Sequence, residues 1–340
     1  MITFPETCLL RTSNCTMSQT SIRMQNLFLG IVLIPLAVNS AEWVNISDPV
    51  TAKLKPGYAG PTAGVTVDRS SGEVYMVIND LGLWKSVDRG GSFARVDDSR
   101  IGGRCETGWA LQFDPEGRRL FCFMIYGSSA ITSDSGSSWA KSASTHFDFG
   151  AVDWEDTGKH VLALRHESGG VLATSEDSGG TWRNLEKGFS GLGVVDRKTF
   201  LATKAQEKGI FISDDTGVTW NRVATDSPAA PVPVVFRGTI YWPAGKGILV
   251  SKDKGKKWEM IARDIEASHG PYFGKQPLHF VIVGKSGFKE TKDGGTTWMD
   301  AAPLPPGFGV GRVGPNYAWD PNGNVFYAST MTKPTFKFLR

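Results

Sequence analysis

The sequence predicts an all-β fold made of repeated four-stranded units, and three observations carry that expectation. One eight-residue pattern, typified by Ser213-Asp214-Asp215-Thr216-Gly217-Val218-Thr219-Trp220, occurs six times. Its aspartate returns every 38 to 46 residues, and a period of about 40 marks a repeat architecture. The chain also holds 40 Gly, 11 Trp and 19 Phe among its 340 residues, which suits many short strands joined by tight turns.

The turn is explained by its residues. The six aspartates are Asp88, Asp134, Asp177, Asp215, Asp253 and Asp293, each with Gly two positions later and an aromatic residue three beyond that. The carboxylate accepts local backbone N–H bonds, and Gly takes a positive φ without steric cost. The aromatic opens the next strand and packs between sheets. One turn solution repeated per unit reads as structure rather than as six catalytic or metal-binding carboxylates.

One unit is legible in full around the second copy. Residues 109–113 form a strand, 114–117 a turn, 120–125 a second strand, 126–129 a loop and 130–133 a third; the boxed turn follows, and a fourth strand starts at Ser138. The same order recurs at 65–67 with 74–78, and at 151–154 with 160–164. The fourth and fifth units turn more tightly, at Asp196-Arg197 and Arg237-Gly238, and the sixth turns at Gly274-Lys275-Gln276-Pro277. A seventh unit is split: residues 317–327 and 335–339 supply three strands, and 42–48 read like the strand that follows a box. Joining the two ends removes exposed sheet edges.

The repeated turn resembles the Asp-box, or BNR repeat, from about residue 42 to the end. Phe93 in the first copy and Lys257 in the fifth depart from the usual Trp and Ser/Thr. The resemblance implies a β-propeller, as in sialidases, xyloglucan-cleaving glycoside hydrolases, sortilin-type receptors and a photosystem II assembly factor. The units then count to a single seven-bladed β-propeller over 42–340. Such breadth leaves function open. No Arg-Ile-Pro segment of the sialidase type is present, and the xyloglucan-cleaving enzymes typically place their cleft between two propellers.

Residues 1–41 lie outside the repeat. Arg23, an apolar run over 27–38 and Asn39-Ser40-Ala41 compose a secretory signal, with Met24 as the expected start and 1–23 as a gene-model extension. The run is too short to span a membrane, and the expected location is secreted or periplasmic. Of the cysteines that remain after cleavage, Cys122 should face roughly Leu111 rather than Cys105, so two buried free thiols stand against a disulfide. Asn45-Ile46-Ser47 is a glycosylation sequon. A net charge of +3 without a Lys/Arg run gives no footprint for nucleic acid. No zinc-type spacing, P-loop or dinucleotide fingerprint occurs, so neither metal nor cofactor is expected.

In propellers of this resemblance the inner strands line a channel, and the loops entering them share a face with those joining second and third strands. The boxes fall on the opposite face. The first face is expected to collect Glu106 and Asp148 as an acid/base pair, with Asp80 and His166 as substitutes. Arg104, Arg165 and Arg312 would grip an anionic sugar, and Trp109, Tyr126, Trp242 and Tyr272 would contact sugar rings. His146 and His269 sit in the same loops, whereas His160 and His279 fall in strand runs as packed or paired residues. The favoured function is an exported, monomeric carbohydrate-active enzyme, hydrolase ahead of lyase. The alternative is a non-catalytic scaffold or assembly factor holding a protein partner on the same face.

Overall fold

The computed structural model describes residues 42–57, 59–97 and 101–340, so the expected leader lies outside the described residues. Seven four-stranded antiparallel sheets follow one another along the chain. Blade four shows why. Its strands Phe189–Val194, Phe200–Lys204 and Ile210–Ser213 are runs of apolar and small residues, buried almost throughout because each sheet is covered on both sides by its neighbours. Its last strand, Asn221–Ala224, is polar and more exposed, as the rim requires. Blade five departs by extending its rim strand to Glu259–Ala267, which pairs with Gly245–Ser251. The one helix among the described residues is the single turn Asp48–Thr51.

Ring closure uses both ends of the described chain. Asn316–Asp320, Val325–Thr330 and Lys333–Leu339 form three strands of blade seven, and Trp43–Asn45 adds the fourth, with Trp43 opposite Phe338. The Trp43 ring lies 5.5 Å from that of Phe338, and its Nε1 donates to Pro303 O at 3.0 Å. The third strand begins two residues ahead of the expected Thr335.

The boxed turns close on themselves. Ser213 Oγ donates to Asp215 Oδ1 at 2.7 Å and accepts the Gly217 N–H at 2.8 Å. Thr219 gives its N–H to Oδ1 at 2.9 Å and its hydroxyl to Oδ2 at 2.6 Å. Thr216 and Gly217 both have positive φ, 60° and 86°, the second of which requires glycine. The Thr219 hydroxyl leads the bonds that hold the Asp215 carboxyl down at about 2. Asp134 and Asp293 are held at about 2 in the same way, by Ser138 and Thr297. At Asp253, where Lys257 replaces the hydroxyl residue, the first donor is the Lys257 N–H at 2.8 Å, and the carboxyl is likewise lowered. The box aromatics pack inward as expected, Trp182 on Phe147 at 4.6 Å and Trp220 on Phe189 at 5.1 Å.

The boxes of blades two, three, four and six also bond the hairpin joining their blade's first two strands, as in Ser178 N–H to Lys159 O (2.8 Å) and Thr216 N–H to Lys198 O (3.2 Å). Boxes and first hairpins therefore share one face, and the remaining loops form the other. Cys122 pairs with Leu111 across its strand, and both Cys105 and Cys122 are free and buried, their thiol pKa values pushed up by burial. The sequon residue Asn45 spends its Oδ1 on the N–H groups of Ser47 and Asp48, at 3.1 Å each.

Candidate functional site

The face opposite the boxes gathers charge at blades one to three. Asp148 belongs to the inner strand Phe147–Val152, whose register shifts between Phe147 and Phe149. It is the extra residue of a bulge, which lifts it out of the ladder and re-aims its side chain. His166 follows the neighbouring strand Val161–Arg165, and its Nδ1 lies 2.6 Å from Asp148 Oδ1. A carboxylate at that distance assigns the proton to Nδ1 and leaves Nε2 as the basic nitrogen. Glu106 enters from the loop between blades one and two, with Oε2 at 4.0 Å from the same Nδ1. Its backbone carbonyl accepts the Gly314 N–H at 2.7 Å, which ties it to the loop before blade seven.

Two aromatic neighbours continue the cluster. His146, at φ 71°, holds Ile125 O through Nδ1 at 3.0 Å and meets His166 edge-on at 5.1 Å. Tyr126, 44% exposed, lies 5.5 Å from His146 and 6.3 Å from His166. Arg104 covers the Tyr126 ring at 4.9 Å and pairs with Asp80 at 3.3 Å. A continuous polar strip thus runs from Asp80 through Arg104, Tyr126 and the two histidines to Asp148 and Glu106. His146 had no assigned role from sequence; its position two residues before Asp148 in one loop was the available signal.

Other expected members lie elsewhere. Arg165 gives its Nε to Asn184 Oδ1 at 2.6 Å, toward the rim, and stacks over Phe147. Arg312 bonds Ser190 O in blade four, and the Asp148 charge acts on it. The three arginines therefore do not converge as a triad. Trp242 is fully buried, with Nε1 donating to Ala230 O at 2.8 Å, so it offers no face to a sugar. Trp109 is 8% exposed and stacks flat on His269 at 4.5 Å. Tyr272 sits within the inner strand His269–Phe273 and lines the axial channel. His269 is buried as well, and desolvation pulls its imidazole down to about 3. His160 and His279 are paired, with Asp153 at 3.1 Å and Glu290 at 2.6 Å.

Glu106, Asp148 and His166 have donor atoms within 4.8 Å of one another, a set able to hold a divalent cation. Such an ion would have to displace the Nδ1 proton that Asp148 now accepts. Without it, the same three groups make an acid–base cluster.

No family model matches the chain, and no curated protein matches it. Among solved structures, the chain is similar to YCF48 bound to D1 peptide, with TM-score 0.51 and 14% identity over 90% of this chain and 96% of that one. The WD40 domain of Pan2 from Neurospora crassa gives TM-score 0.55 at 12% identity, over 88% and 96%. A GH74 xyloglucanase from Xanthomonas campestris gives 0.40 at 15%, over 83% of this chain and 64% of the enzyme. What the first two share with this chain is the propeller. At these identities the likeness is one of fold, and the chemistry of this chain rests on its own residues.

Proposed function

We propose that the chain is an exported carbohydrate-active enzyme, a glycoside hydrolase that cleaves an extracellular polysaccharide at Glu106 and Asp148. The observation that carries this reading is the pair of carboxylates with donor oxygens within 4.8 Å and His166 bonded to one of them. Retaining glycosidases hold their two carboxyl groups about 5–5.5 Å apart and inverting ones about 6.5–9.5 Å; facing oxygens no more than 4.8 Å apart are too close for the inverting arrangement, so the proposal takes retention. Asp148, oriented by the His166 N–H, is the nucleophile. Glu106 protonates the departing oxygen and then, as its conjugate base, activates the water that releases the sugar. His166 is a positioning residue, and Tyr126 with Arg104 supplies the exposed platform for the sugar.

The test is a polysaccharide panel incubated with the purified mature protein, reading reducing ends and the absorbance of unsaturated uronates. Reducing ends alone support the hydrolase; both signals together replace it with a lyase, for which His166 Nε2 is the base. Export is part of the same proposal, and mass spectrometry of the native protein should find a mature end near Glu42.

A second reading is a docking platform for a protein partner. It is favoured by the similarity, over nearly the whole of both chains, to a propeller solved with a bound peptide, and by exposed Tyr126 and Val313 on the same face. Silence across the panel, with a stable partner recovered through that face, would select it.

A further inference from the structure

The axial channel holds a second feature, independent of the acidic cluster. Trp109, His269 and Tyr317 form a layer inside it, the first two stacked at 4.5 Å and the last two edge-on at 5.0 Å. Toward the box face lies a cavity of about 140 Å³, walled by inner-strand residues of blades one, two, five, six and seven. Phe113, Tyr272 and Trp319 give it flat apolar walls, and Thr66 and Gln112 add polar atoms.

Arg69 stands in the wall of this cavity, in the first hairpin of blade one. Its Nη2 donates to Gly274 O at 2.7 Å, and its guanidinium lies over Phe236 at 4.9 Å. Its Nη1 is buried and has no hydrogen-bond partner among the described residues. The nearby acids are committed elsewhere. Asp68 accepts from Ser70 N and Oγ at 2.8 and 2.5 Å and from Arg118 N at 3.3 Å. Asp114 accepts from Arg119 Nε at 2.6 Å, and Glu116 pairs with Arg237 at 3.5 Å. A buried cationic donor left unmade is costly, and a carboxylate is the partner that satisfies it best.

We propose that the cavity is a ligand site for a small organic anion, with its acid head on Arg69 and a flat apolar body against Phe113, Tyr272 and Trp319. A dry protein cavity of about 150 Å³ accommodates benzene, so the ligand is about one ring in size. It enters from the box face, where Arg69, Asp114 and Pro115 lie in the first hairpins. Its occupancy does not depend on the Glu106 site.

Benzoate is the probe and benzamide its neutral counterpart, titrated calorimetrically into the mature wild-type protein. Benzoate should bind saturably at one site, and benzamide about ten- to a hundredfold more weakly, as expected for one charge-assisted bond. Arg69→Met should remove the preference, and Glu106→Gln should leave it unchanged. Absence of saturable benzoate binding, equal binding of benzamide, or full benzoate affinity in Arg69→Met overturns the proposal. Should Arg69→Met fail to fold, the wild-type ratio of the two probes decides alone.

Discussion

The two faces of the ring use carboxylates in opposite ways. On the box face each box aspartate takes its donors from its own turn: Asp215 is bonded by Ser213 and Thr219, two and four residues away. On the other face Asp148 meets His166 from 18 residues away, and Glu106 approaches from another blade. Donors within a turn saturate a carboxylate and leave nothing for a substrate. Groups brought together by the ring leave carboxylate lone pairs that no turn donor takes, beside a histidine whose second nitrogen has only Glu167 Oε1 near it, at 3.7 Å. The difference teaches that repetition of a carboxylate is a mark of structure here, and that the converging set is the one on which the proposed chemistry rests.

The largest expected effect breaks that comparison directly. On the proposed reading, Glu106→Gln should lower the rate of polysaccharide cleavage about 100- to 10,000-fold, the range for losing a positioned general acid, with an unchanged melting temperature. Asp215→Ala should lower the melting temperature and leave activity per folded molecule intact. Full activity in the first variant, or a stable but inactive second, would reverse the roles assigned to the two faces.

Next comes packing. Trp139 is 5% exposed and donates Nε1 to Val96 O at 2.7 Å, so Trp139→Ala should cost about 3–5 kcal/mol in urea unfolding. Tyr126, half-exposed on the other face, should change stability by less than about 0.5 kcal/mol when replaced by Ala. Deleting residues 42–48 should expose the edge of Lys333–Leu339 and give aggregation visible in light scattering.

What was legible in the sequence follows the same divide. The boxes, the seven blades, the closure by Trp43 and the pairing of Cys122 with Leu111 all depend on local turn chemistry and strand alternation, which the chain spells out residue by residue. The candidate site was legible only as a set of loops. Trp242, expected in a loop, occupies a buried position of the strand Thr239–Pro243. Arg165 ends a strand and turns to the rim because Asn184 and Phe147 hold it there. Nothing in the sequence marks the bulge that frees Asp148, since a one-residue register shift is set by the partner strand.

Acid separates the interior from the boxes. His269 is lowered from its ordinary 6.5 to about 3 by burial, so between those values the unfolded chain binds a proton that the folded one refuses. Its contribution is complete above pH 6.5 and is lost as pH falls toward 3. The carboxyls of Asp134, Asp215 and Asp293 are lowered from 3.8 to about 2. Their contribution is present above pH 4 and disappears as pH falls toward 2. Urea midpoints measured against pH should show the loss in two stages, and His269→Gln should flatten the first while sparing the second. A first stage that persists in His269→Gln would assign it to other groups.

The smallest effect tests the box turn by completing it. Asp253 receives Ser251 Oγ at 2.9 Å and the Lys257 N–H at 2.8 Å, and position 257 carries no hydroxyl for the second carboxylate oxygen. In the fourth box that oxygen accepts the Thr219 hydroxyl at 2.6 Å. Lys257→Thr should restore this bond and raise stability by a few tenths of a kcal/mol, small because the turn is exposed to solvent and the attraction of the lysine charge is given up. Calorimetry should find a slightly higher melting temperature, and activity should not move. The reverse exchange, Thr219→Lys, should lower the melting temperature by a comparable amount. If both exchanges left it unchanged, the hydroxyl would be an ornament of the turn, and its stability would rest on the backbone donors and the left-handed glycine alone.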